Sequence, residues 1–168
     1  MGIDASLTAT GIVVLEDDKI IERQWAVIRS KLIGIDRVAE IAERCCHIAR
    51  AVETHVVAIE QYSYSARFTQ AYSLGELGGA IRYLLFRQGI HVESWPVATI
   101  RKALTGKGNL PKAAMPLAIY KRYGVEFASA PDALDAWAVA YTAWLFRQPP
   151  EQLLAFKKDA FTMRRRAA

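Results

Sequence analysis

Short apolar runs separated by polar turns open the chain: GID precedes LTAT, and GIVVLE and IIERQWAVI are divided by EDDK. This patterning predicts successive strands over residues 1 to 28, an antiparallel meander whose first strand is short. From Ile35 the period changes. Ile35, Val38, Ala42, Cys45, Ala49 and Val52 step by three and four, the stripe of an amphipathic helix lying against a sheet, with Asp36 capping its start. HVVAIEQ, about residues 55 to 61, is β-branched and too short for a helix, and it predicts a buried parallel strand ending at Glu60. A second helix is expected over roughly Thr69 to Gln88, with Leu74, Leu77, Ile81 and Leu84 on one stripe, followed by the last strand, IHVESW. Between Trp95 and Tyr123 the pattern gives a short helix, the loop TGKGNLPK and a further helix begun near Pro111. The final helix starts after Ser129 and runs through ALDAWAVAYTAWLF almost without charge, so most of its circumference must be buried. The expected fold class is α/β, a mixed five-stranded sheet flanked by helices, over residues 1–148, with a basic tail at 149–168.

Composition changes this picture little. A chain of 168 residues, 52% hydrophobic and 23% charged, is the size and balance of one self-folding domain. The adjacent Cys45 and Cys46 on a helix diverge around its axis, which disfavours a mutual disulfide and suits a reducing compartment. With neither a secretory leader pattern nor a membrane-length apolar run, a cytoplasmic protein is expected. Lysine and arginine outnumber aspartate and glutamate by 22 to 17. That excess favours a polyanionic partner, although many soluble proteins carry as much.

Four acids carry the candidate chemistry. Asp4 ends the first apolar run, Glu60 ends VVAIE, and Asp132 and Asp135 are three apart on the closing helix, where both project from one face. Taken singly, each has an ordinary reading: Asp4 as a turn cap with Ser6 or Thr8, Glu60 as a strand end, Asp132 as a first-turn acid favoured by the helix dipole. Their conjunction points to a cage of hard oxygen ligands for Mg²⁺ or Mn²⁺, because neighbouring first and fourth strands would bring Asp4 and Glu60 to one rim. Two such ions balance four carboxylates and suit in-line hydrolysis of a phosphodiester. His47, His55 and His91 are not placed as general bases.

GIDASLTATG, VVAIEQYSY, SLGELGGAIRYLL, TIRKALTGKGNLPKAAM and APDALDAWAVA, in this order, resemble the RuvC family of Holliday-junction resolvases over about residues 1 to 147. The resemblance implies a ribonuclease H-like fold and a homodimer that nicks a four-way DNA junction symmetrically with two Mg²⁺ or Mn²⁺ ions per site. Asp4, Glu60, Asp132 and Asp135 match the family's acidic tetrad, and Lys112 falls about where the family keeps a lysine near the scissile phosphate. Lys102 and Lys107 are then candidate DNA contacts, or solvated loop charges. Tyr62, Tyr64 and Phe68, with Arg67 between them, offer base-stacking groups or aromatic packing. The basic ending, with Lys157, Lys158 and Arg164 to Arg166, offers phosphate contacts or plain solvation. Competing readings are a broader nuclease for flaps, forks and three-way DNA on the same fold, and a sugar-kinase or actin-like phosphotransfer protein. The latter needs two lobes to enclose a nucleotide, so no nucleotide cofactor is expected.

Overall fold

The computed structural model describes residues 1–16, 19–61, 68–127, 130–149 and 151. In chain order the strands are β1 (Gly2–Asp4), β2 (Thr10–Glu16), β3 (Lys19–Ile28), β4 (Val56–Glu60) and β5 (His91–Trp95). The helices are α1 (Gly34–Ala51), α2 (Phe68–Arg87), α3 (Val97–Thr105), α4 (Met115–Tyr123) and α5 (Pro131–Leu145), with a 3₁₀ turn at Lys112–Ala114 before α4. The strands form one sheet in the order β3-β2-β1-β4-β5. β1, β2 and β3 are antiparallel, whereas β4 runs parallel to both β1 and β5. This is the mixed sheet the apolar pattern predicts, with the meander first and the helix-linked strands after it.

Side-chain alternation along the strands divides the core into two layers. Ile3, Ile12, Ile28, Val57 and Ile59 face α1 and α2 and pack with Ile41, Cys45, Leu77, Ile81 and Leu85. Their neighbours Val13 and Ala58 face the opposite way, against Ile100 and Leu104 of α3, Met115 and Ile119 of α4, and the apolar length of α5. Asp4 therefore shares a face with Gly2, and Glu60 with Ala58: both carboxylates emerge on the α5 side. The two cysteines are free and lie on the buried side of α1.

Two details of α1 differ from the sequence reading. Ile35 is 71% exposed: it lies in the first turn, and the burial of α1 begins only at Val38. Ile33 is the N-cap and makes no side-chain capping bond, so Asp36 sits in the first turn, where a negative charge complements the helix dipole without closing the helix end.

α5 is apolar all round because it is buried all round: from Ala133 to Leu145 only Asp135 and Trp144 escape full burial. Trp137 stacks on Tyr141 at 4.9 Å and meets Tyr123 edge-on at 5.4 Å. What lets this helix approach the sheet is the absence of side chains beneath it. A Cβ on Gly2 would lie 2.1 Å from the carbonyl oxygen of Ala136, and one on Gly11 would lie 2.0 Å from that of Asp132. Both approaches are to backbone, which cannot swing aside. Among the described residues no helix is long and apolar enough to cross a membrane.

Gly11→Ala is expected to destabilise the fold by about 1–3 kcal/mol, the usual cost of overpacking a rigid contact, measured by urea unfolding followed by circular dichroism. An unchanged midpoint would show that α5 is free to lift from the sheet.

Candidate active site

The site is assembled at the rim where β1 and β4 end. Gly2 pairs with Ala58 and Ile3 with Ile59, so one step further along these parallel strands Asp4 and Glu60 come side by side. Across the other edge of β1, Asp4 pairs with Gly11 of β2, the residue on which the Asp132 carbonyl rests. One turn later on α5 comes Asp135. Four carboxylates more than a hundred residues apart in sequence at the extremes thus share one rim through two strand registers and one helix contact.

Asp4 is not consumed by the turn that follows it. That turn closes on itself: the Thr10 hydroxyl donates to the Ser6 carbonyl at 2.6 Å, the Ser6 amide donates to Thr10 Oγ1 at 3.1 Å, and the Ser6 and Thr8 hydroxyls lie 3.0 Å apart. Ser6 and Thr10 take the turn role open to Asp4 on sequence grounds, and its carboxylate is left facing the other acids.

The electrostatics are those of crowded anions. Burial, reinforced by Asp135 and Glu60 and opposed by Lys112, pushes the Asp4 carboxyl up from 3.8 to about 7. Glu60 is raised by burial and by Asp135, against the pull of Lys112 and Arg101. Lys112, at the head of the 3₁₀ turn, sets its Nζ 2.7 Å from Asp135 Oδ2, and that contact holds its ammonium more firmly protonated than usual. Arg29, directly after β3, approaches Asp132 Oδ2 at 4.0 Å.

The four acids face one another at Coulomb range. Among the described residues no three of them converge closely enough to share an ion in this side-chain arrangement. The donor set nevertheless fits a hard divalent cation: every candidate ligand is a carboxylate oxygen, and Asp135, Glu60 and Asp132 all add to the effect of burial in raising Asp4.

Lys102 and Lys107 are exposed on α3 and on the loop after it, and neither forms an ion pair with the acids among the described residues. Tyr62, Tyr64 and Arg67 lie outside the described residues, and Phe68 is placed only as the first residue of α2. The tail beyond residue 151 is also outside them. Arg29 and Arg101 are the cations that the sequence reading missed. Arg29 carried a usable signal, since it ends the apolar run AVI as Asp4 ends GI and Glu60 ends VVAI, and it reaches the same rim. Arg101 carried none beyond lying in a helix, and only tertiary packing brings its charge within range of Glu60.

The Asp4 shift has a consequence for stability. The folded chain holds this proton more tightly than the unfolded chain, so the stabilisation is complete below 3.8 and is lost as pH rises toward about 7. With a chelator present, wild-type protein should lose stability relative to Asp4→Asn across that interval, by on the order of a few kcal/mol. Parallel urea midpoints for the two proteins across the interval would refute the coupling.

Comparisons with known proteins agree with this geometry. A family model described as crossover junction endodeoxyribonuclease RuvC matches residues 1–143, a span that includes all four acids and Lys112. A protein of that name from Rhodopirellula baltica is 28% identical over 162 residues, covering 92% of this chain and 91% of the relative. One from a Synechococcus strain is 28% identical over 155 residues, covering 88% and 98%. Thermus thermophilus RuvC in complex with Holliday junction substrate superposes with a TM-score of 0.72 at 25% identity, over 87% of this chain and 93% of that one. The yeast mitochondrial Holliday junction resolvase shares the fold, with a TM-score of 0.54 at 10% identity over 96% and 82% of the two chains. The sheet order, the flanking helices and these neighbours make the fold ribonuclease H-like, and the chain belongs to the RuvC family of crossover junction endodeoxyribonucleases.

Proposed function

We propose that this chain resolves Holliday junctions by hydrolysing one phosphodiester in each of two like strands, using divalent cations held by Asp4, Glu60, Asp132 and Asp135. The observation that carries the reading is the gathering of these acids from β1, β4 and α5 at one rim. A basic ledge runs beside them. Residues 94–125 contain no acid and six cations, Arg101, Lys102, Lys107, Lys112, Lys121 and Arg122. The α3 and 3₁₀ part of this segment borders the rim, through Arg101 near Glu60 and Lys112 on Asp135. Such a ledge attracts a phosphate backbone that the acids alone would repel.

When bound, two Mg²⁺ or Mn²⁺ ions supply charge stabilisation for the attacking water and the leaving 3′ oxygen. The chain's own part is positioning. Strand ends hold Asp4 and Glu60 on rigid backbone, α5 presents Asp132 and Asp135 from a buried helix, and Lys112 brings a mobile ammonium to the place where phosphate charge develops. Lys102 and Lys107 contact phosphates further along the ledge, and Tyr62, Tyr64, Arg67 and Phe68 supply the contacts to unstacked bases.

Paired cutting of a four-way junction calls for two sites related by symmetry, and α2 offers a self-complementary face for a homodimer. Tyr72, Tyr83 and Phe86 are 76%, 56% and 74% exposed, and they line up with Gly75 and Gly79, above which there is open space. Large aromatics beside side-chain-free positions let two copies of the helix interlock.

With Mg²⁺, the protein should nick a synthetic immobile four-way junction but not the matched linear duplex. Asp4→Asn or Asp135→Asn should reduce cutting by at least about a hundredfold while leaving junction binding intact or tighter. Equal cutting of flaps, three-way and four-way DNA would favour the broader branched-DNA nuclease, and equal loss of cutting and binding would indicate a damaged fold. Gly79→Arg should convert the dimer to monomer in sedimentation velocity without lowering the unfolding midpoint. A wild type that sediments as a monomer at micromolar concentration would remove the α2 interface.

A further inference from the structure

The contact between Lys112 and Asp135 has a competitor built into its chemistry. Lys112 Nζ stands 2.7 Å from Asp135 Oδ2, with the lysine side chain 74% exposed and the aspartate 27% exposed. Among the described residues Asp135 is the single ion-pair partner of Lys112. Asp135 is also the acid that presses most on the rim, being the first-ranked charge raising both Asp4 and Glu60. A hard cation bound by carboxylate oxygen sits at about 2.0–2.1 Å for Mg²⁺. An ammonium and a divalent ion on one small carboxylate repel each other, so occupancy by one weakens the other, and by linkage the weakening is reciprocal.

We propose that Lys112 is an exchangeable counter-ion, neutralising Asp135 until a divalent cation takes that carboxylate and being released toward the incoming phosphodiester when it does. This rests on the carboxylates binding divalent cations, as argued above. Backbone geometry suits the exchange. Lys112 follows Pro111 at the head of a single 3₁₀ turn anchored by the Ala114 amide on the Pro111 carbonyl at 3.0 Å, so a rigid base carries a long, solvated side chain free to change partner. Arg101 provides an internal comparison, because it acts on Glu60 through space and forms no ion pair with it among the described residues.

Two measurements without turnover test the exchange. In titrations of Mn²⁺ followed by the loss of its free-ion electron paramagnetic resonance signal, Lys112→Gln should bind about tenfold tighter than wild type. Arg101→Gln, which removes the same charge without vacating Asp135, should tighten binding by less than about threefold. In wild type, acetylation of Lys112 quantified by mass spectrometry should accelerate severalfold on adding Mg²⁺, with Lys102 and Lys107 as unchanged references. In Asp135→Asn, Lys112 should react fast with or without Mg²⁺. Mn²⁺ bound by wild type but no tighter by Lys112→Gln than by Arg101→Gln, or Lys112 labelling that Mg²⁺ leaves unchanged, would overturn the exchange alone. No Mn²⁺ binding by wild type would overturn the divalent-cation reading and this inference with it.

Discussion

Everything at the rim depends on how closely α5 lies against β1 and β2. Gly2 and Gly11 leave no room for a Cβ beneath the helix, and the carbonyl oxygens of Ala136 and Asp132 occupy the space a side chain would need. Backbone against backbone is a stiff contact, with no rotamer to absorb error. It fixes the height of α5 above the sheet at the level of Gly11, the residue paired with Asp4. A helix held further out would still be buried, yet its aspartates would no longer address the strand-end acids.

That docking forces unfavourable electrostatics. Asp4 and Glu60 are both held with their protons more tightly bound than an exposed carboxyl would hold them, through burial and mutual repulsion. The apolar layers on both sides of the sheet stabilise the fold enough to tolerate this. Lys112 and Arg29 relieve part of the charge at Asp135 and Asp132, each from a segment outside the core and each largely solvated. Rigid acids with solvated cations around them form a site whose charge balance is adjustable, as the proposed binding of metal ions and phosphate requires.

The remaining surface divides by partner. The α3 and 3₁₀ segment carries cations without acids and adjoins the rim. The exposed face of α2 carries aromatics and glycines, on a helix whose other side packs against α1 and the sheet. The basic ledge proposed for DNA and the α2 face proposed for self-association are thus separate surfaces.

Periodicity made most of the architecture legible. Alternation in the first 28 residues, the step from period two to three and four at Ile35, and the nearly charge-free closing helix specify the strands, the helices and the two-sided core, because burial acts locally on every residue. Strand-end position and helical spacing also singled out Asp4, Glu60, Asp132 and Asp135 as one set. Ile35 shows where this logic stops: its spacing fits the stripe, but no other element among the described residues covers the first turn of α1, and it stays in solvent. The pairing of Lys112 with Asp135, of Arg29 with Asp132, and the approach of the Arg101 charge to Glu60 were decided only by tertiary structure. Local patterns report which face of an element is apolar. Which charges meet across elements is set by strand register and by the height of α5 over Gly2 and Gly11, and neither is encoded in the neighbours of the residues that meet.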